Sequence, residues 1–134
     1  MVLFDEAFAE EFAAFEEEVR DAVLTYAKAL SRDGPLLGRP YADTLKGSAY
    51  PNMKELRPTV NKVEWRVAFA FDPLQQGILL CAAAKGGKKS AVVYARLIAK
   101  ADRRFKAHLA SSSSQQAGRP KGGVKVRTKA RKKD

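Results

Sequence analysis

Residues 63–71, VEWRVAFAF, alternate without a break, and this limits the chain more than any other feature. Val63, Trp65, Val67, Phe69 and Phe71 fall on one face of a strand, and Glu64, Arg66, Ala68 and Ala70 on the other. Asp72-Pro73 opens a turn and Gly77 closes it. Residues 78–84, ILLCAAA, are apolar throughout, as in a central strand covered on both faces. A shorter strand is expected at 53–57, ended by Pro58. The short links predict an antiparallel meander.

Helices flank this sheet. Over residues 5–32, Phe8, Phe12, Phe15, Val19, Ala22, Val23, Tyr26 and Leu30 recur at steps of three or four, while most acids lie off that stripe. Asp5 is a plausible N-cap, and Asp33-Gly34-Pro35 a stop. One long helix and a helical hairpin broken near Glu16–Glu18 fit the pattern equally well. Residues 34–52 are loop-rich in Gly, Pro and Asn. A last helix is expected over roughly 90–109, capped by Ser90, with Val93, Leu97, Ile98, Ala101, Phe105 and Leu109 as its apolar stripe. Past Ala110 the composition turns to Ser, Gln, Gly and Lys, with little apolar surface to offset ordering entropy. The expected organisation is an α+β domain over 1–110 and a disordered basic tail over 111–134. Its N-terminal helix or hairpin packs on a small twisted, mainly antiparallel sheet.

The net charge of +10 is divided unevenly. Residues 1–34 hold nine acids and three bases, residues 35–110 five acids and fourteen bases, and residues 111–134 one acid and eight bases. A polyanion is steered to the second and third segments and repelled by the first. No apolar run approaches the ~20 residues of a membrane span. The acidic start MVLFDEAFAEEF lacks the basic n-region of a secretory signal, and the single Cys81 cannot form an internal disulfide. These features favour the cytosol.

Six cations lie between residues 37 and 66 (Arg39, Lys46, Lys54, Arg57, Lys62 and Arg66), and Lys85 joins them from the next strand. If Trp65, Val67 and Phe69 are core, Arg66 is displayed beside small Ala68 and Ala70, on a surface with room for a phosphate. Glu55 and Glu64 are the local acids and could be its partners; a solvated polar face is the plainer alternative. Lys85-Gly86-Gly87-Lys88-Lys89 reads as a phosphate clamp or an ordinary strand-to-helix turn. Tyr94 is either a core side chain or a phenol facing the cations. His108 reads as a stray surface histidine and Cys81 as a small buried hydrophobe. No cluster supports a metal, and no glycine-rich phosphate loop is present. Ala117-Gly118-Arg119-Pro120-Lys121 is a weak minor-groove motif, and a generic electrostatic tail is the plainer reading.

The run LGRP-x-x-DTLKGS-x-x-x-NMKELRP, followed by WRVAFAFDP, an apolar strand, Tyr94 and LIAKAD-x-RF-x-x-HL, resembles the phage-derived HigB-like branch of the RelE/ParE toxin superfamily over residues 5–110. The resemblance implies a RelE-like α+β fold and a type II toxin. Its partner would be a cognate antitoxin, often a helix-turn-helix protein, and its target messenger RNA on the ribosome. It implies a metal-independent endoribonuclease without a cofactor. Arg57, Arg66, Lys54, Lys85 and Tyr94 fall at the family's site positions, and Lys46, Lys88, Lys89 and Arg39 are added as RNA contacts. The family's N-terminal strand is reduced here to Val2-Leu3-Phe4 at most. Cleavage would proceed by attack of the 2′-OH on the adjacent phosphate. Arg57 and Arg66 would hold the charge, Lys54 or Lys85 would be the base, and Tyr94 the acid or a stacking ring. The alternative is a non-enzymatic ParE-like gyrase inhibitor or a basic nucleic-acid-binding module. The ribonuclease reading as drawn requires an outward-facing Arg66 among unpaired cations, so that Arg66→Ala abolishes toxicity and leaves the fold intact. An Arg66 turned inward and neutralised by Glu55 or Glu64 removes that ground.

Overall fold

The computed structural model describes residues 1–85 and 90–118, with side chains described as far as Ser112. Strand β1 (Val2–Phe4) leads into helix α1 (Glu6–Ala13), whose N-cap Asp5 accepts the Phe8 N–H at 3.1 Å. The chain then breaks. Glu16 is extended, the guanidinium of Arg20 takes the freed Phe15 carbonyl, and helix α2 (Glu17–Asp33) begins. Two glutamates in the first turn of α2 favour a new N-terminus there, which decides for the hairpin. Gly34, at φ +61°, ends α2 in a conformation that favours glycine, and Pro35 prevents continuation.

Strands β2 (Ala42–Thr44), β3 (Lys54–Leu56), β4 (Thr59–Val60), β5 (Val63–Phe71) and β6 (Gly77–Lys85) follow, then helix α3 (Ser90–Gly118). The sheet order is β1-β6-β5-β3-β2, with β4 also on β5. Among the described residues only the β1–β6 pair is parallel. The expected strands are present. The loop-rich stretch also contains β2, which pairs Ala42 with Leu56 and Thr44 with Lys54. Between Ala68 and Phe69 the β5–β6 register slips by one residue at Leu80. The Leu80 carbonyl accepts Arg104 of α3 at 2.8 Å.

The sheet has a core on each face. Phe8, Val19, Val23 and Leu30 from the helical hairpin meet Val67, Phe69 and Leu79 on one side. On the other, Leu97, Ala101 and Phe105 of α3 meet Ala68, Ala70, Ile78, Leu80 and Cys81. This corrects the expectation that Ala68 and Ala70 form an open ligand surface. Their small side chains make the seat on which α3 lies. Burial pushes the Cys81 thiol up to about 12, consistent with an inert core group.

Polar ties fix α3. Arg104 grips both Glu11 oxygens at 3.0 and 2.6 Å, and Asp102 accepts the Ala49 N–H at 2.8 Å. His108 is no stray residue: its Nε2 lies 2.8 Å from Oδ2 of buried Asp72. Asp72 Oδ1 also accepts the N–H groups of Leu74 and Gln76, closing the β5–β6 turn. The last helix runs past its expected end, because no Gly or Pro interrupts it before Gly118. The tail beyond Gly118 lies outside the described residues.

Candidate functional site

At the sheet end away from Asp72, five elements converge. β3 brings Glu55 and, just past its end, Arg57; β5 brings Glu64 and Arg66; β6 ends at Lys85; α3 begins with Tyr94 four residues in; α2 contributes Tyr26. The period of two places Glu55 and Arg57 on one face, level with Glu64, Arg66 and Ala68 of the strand beside them. A groove of about 360 Å³ opens there, lined by Tyr26, Arg39, Pro40, Arg57, Thr59, Glu64 and Arg66.

Arg66 is the centre of the arrangement and is 3% exposed. Its Nε–H donates to the Tyr94 hydroxyl at 3.0 Å, Nη1 to the Trp65 carbonyl at 2.8 Å, and Nη2 to Glu64 Oε1 at 2.6 Å. Glu55 Oε2 lies 3.9 Å from Arg66 Nε and accepts Arg57 Nη1 at 2.6 Å. The sequence-based expectation of an outward, unpaired Arg66 is therefore overturned. α3 covers the face on which Arg66 was to be displayed, and a buried guanidinium must be paired to stay charged. The wider expectation of cations without matching carboxylates fails for Arg39, Arg57, Arg66 and Lys85. Arg39 is held by Asp43 at 2.6 Å, and Lys85 approaches Glu64 at 3.5 Å.

The electrostatics follow from these contacts. Burial works against the Arg66 charge, but the Tyr94 phenol and the Glu64 carboxylate outweigh it and hold its pKa above the usual value. Glu64 sits below the ordinary carboxylate range, chiefly through its bond to Arg66 and then the charge of Lys85. Burial pushes the Tyr94 phenol up, and the charge of Glu55 adds to that against the pull of Arg66, so Tyr94 carries its proton at neutral pH. Glu55 is 4% exposed and, among the described residues, its Oε1 has no partner at hydrogen-bond distance, although the carboxylate is near enough to Tyr94 to help raise the phenol's pKa. A buried carboxylate oxygen left bare is costly, and such groups cluster where function requires them.

The structure thus brings together Arg57, Arg66, Lys85, Tyr94 and Arg39. It does not bring in Lys54, whose position next to Glu55 points it to the other face, where Nζ donates to the Pro35 carbonyl at 3.3 Å. Lys46 is exposed beyond β2 and does not line the groove. Lys88 and Lys89 lie outside the described residues. The sequence offers Glu55 and Glu64 as ion-pair partners, which they are, but not as a base, and it gives Tyr26 to the core. The Glu55/Arg57 spacing was a usable signal for a shared face; nothing local marks Tyr26 as a groove residue. Among the described residues no group of three His, Cys, Asp or Glu could hold a metal ion, and no helix is long and apolar enough to cross a membrane.

Residues 10–106, which include every groove residue, match the family model described as Phage derived protein Gp49-like (DUF891). The chain is 39% identical over 107 residues to a Mycobacterium tuberculosis protein named "Putative toxin HigB2", covering 79% of this chain and 53% of that one. It is 41% identical over 76 residues to a second, named "Putative toxin HigB3", covering 57% of this chain and 65% of that one. The chain thus spans between about half and two thirds of the length of these relatives. No solved structure matches it.

Proposed function

Because the chain belongs to the phage-derived Gp49-like family, we propose that it is the toxin of a type II toxin–antitoxin pair, acting in the cytosol as an endoribonuclease on ribosome-bound messenger RNA. The toxin part rests on the likeness to the two named toxins. The ribonuclease part rests on one observation: a buried carboxylate whose Oε1 has no hydrogen bond among the described residues, Glu55, beside a protonated phenol and two guanidiniums that line a groove.

In this reading the scissile phosphate enters between Arg57 and Arg66, and displaces Glu64 from Arg66 Nη2. Glu55 takes the proton of the 2′-OH, and the 2′-oxygen bonds to phosphorus in line with the leaving group. The P–O5′ bond breaks, Tyr94 gives its proton to the departing 5′-oxygen, and a 2′,3′-cyclic phosphate remains. Arg57 and Arg66 carry the charge that gathers on the non-bridging oxygens. The base is thus Glu55 in place of Lys54, which faces away, and Lys85, which is tied to Glu64. Needing no metal, such a mechanism requires only groups this chain supplies, and the cognate antitoxin would have to cover the groove or hold its residues apart.

One observation favours a second reading. Arg39, Arg57, Arg66 and Lys85 all have carboxylate partners, as they would in a protein that inhibits gyrase by docking rather than by chemistry. The test separates the two: expose translating ribosomes to the protein and map the 5′ ends of the message. Codon-phased cuts that vanish with Glu55→Gln support the nuclease. Intact message with accumulating double-strand DNA breaks in cells supports the gyrase poison and rejects the nuclease.

A further inference from the structure

Tyr26 and Tyr41 take no part in the acid–base cluster; Tyr26 lines the groove beside it, and Tyr41 packs against Tyr26. Tyr26 is half-buried on α2 and lines the groove; Tyr41 is 44% exposed just before β2. Their rings meet edge to face, with centroids 5.7 Å apart and planes at 68°. The Tyr41 carbonyl accepts the Arg57 N–H at 3.0 Å, so the loop carrying this ring is pinned to the residue whose guanidinium borders the acid–base cluster. Arg39, whose guanidinium is oriented by Asp43 at 2.6 and 3.0 Å, lines the same groove. Tyrosine rings and the guanidiniums of Arg39 and Arg57 therefore meet at one groove.

A core role explains only part of this. Tyr26 packs against the hairpin core through part of its ring, but Tyr41 contributes mainly surface. Exposed aromatics beside arginines are the means by which proteins hold unstacked bases, because every base has a flat face and every linkage a negative charge. The groove is at the small end of the range for ligand clefts, which suits one nucleotide better than a helix or a sheet edge. From this we infer that Tyr26 and Tyr41 form a base-stacking subsite for single-stranded RNA, holding the nucleotide next to the phosphate on Arg57. The inference rests on the ribonuclease reading and adds where the neighbouring base sits and what selects it. The tyrosines are positioning residues, since they touch the substrate's base and not the reacting atoms.

The test uses the full chain and a message with 2′-O-methyl groups, which cannot be cut, carrying 2-aminopurine at successive positions. Binding is followed by anisotropy and stacking by fluorescence quenching, both with free RNA and on programmed ribosomes. Wild type is expected to quench at one position. Tyr41→Ala, at an exposed site, is expected to lose that quenching and bind about tenfold more weakly, with its melting temperature unchanged. Tyr41→Phe and Tyr26→Phe keep both signals, because stacking needs the ring and not the hydroxyl. Binding without quenching at any position, or quenching that persists in Tyr41→Ala, overturns the subsite and leaves the ribonuclease reading standing. A wild type that binds neither free nor ribosome-bound message overturns both.

Discussion

Two buried carboxylates sit on the same sheet, near opposite ends of α3, and they are treated differently. Asp72 is 2% exposed and fully partnered: two backbone N–H groups on one oxygen and His108 on the other. Glu55 is 4% exposed, bonded to Arg57 through one oxygen and, among the described residues, to nothing through the other. The Asp72 end closes a turn and clamps a helix. The Glu55 end borders an open groove and carries an unmet acceptor. Satisfied buried polar groups stabilise a fold, whereas an unsatisfied one costs stability that packing elsewhere must offset. The difference separates the end of the molecule that holds it together from the end equipped to act.

The largest effect is expected from Glu55→Gln. Cleavage of message should fall by about 10²–10³-fold while the protein still folds, since Glu64 continues to pair with Arg66. Equal cutting by the variant would make Glu55 as structural as Asp72. Arg66→Ala comes next. It should abolish growth arrest and also destabilise the fold by about 3 kcal/mol in urea unfolding, since it strips a buried site of its cation. That replaces the expectation of an intact fold, and an unaltered unfolding midpoint would contradict the burial described above.

Asp72→Asn should leave cleavage unchanged and cost about 1–2 kcal/mol, read by the same unfolding curves. Its effect depends on pH with a definite sign. Burial opposes the Asp72 charge, but His108 and the N–H groups of Gln76 and Leu74 outweigh it, so the folded pKa lies below the usual carboxylate value. The stabilisation is present above the unfolded pKa of roughly 4 and is lost as pH falls through the lower folded value. Wild type and Asp72→Asn should converge in stability on acidification below about pH 4. The smallest effect is expected from Glu64→Gln, whose carboxylate occupies the Arg66 fork where a phosphate oxygen would sit. Affinity for an uncleavable RNA should rise about two- to fivefold in low salt, and a fall would show that Glu64 organises the fork rather than blocking it.

Much of the scaffold was readable in the chain. The alternation at 63–71, the Asp5 cap and the Gly34 stop act locally, and each does what its residue type dictates. β1, β2 and β4 were too short to carry a period and exist only through their neighbours. The helical break was left open because the apolar stripe runs through it in phase. The site was legible in its parts and misread in its state. Arg57, Arg66, Lys85 and Tyr94 do gather, but whether Ala68 and Ala70 seat a ligand or a helix depends on Leu97 and Phe105, far along the chain. Lys54 was a local error, since adjacency to Glu55 already sent it to the other face.

The slip at Leu80 reaches beyond the hairpin that contains it. In an uninterrupted ladder Lys85 would stand opposite Val63 and Ala84 opposite Glu64; the extra residue puts Lys85 opposite Glu64 instead. One supernumerary amino acid thus sets which ammonium meets the carboxylate at the groove, about 16 Å down the strand. Changes of chain length in that stretch of β6 would re-index the charge pairing at the far end while leaving every charged residue in place.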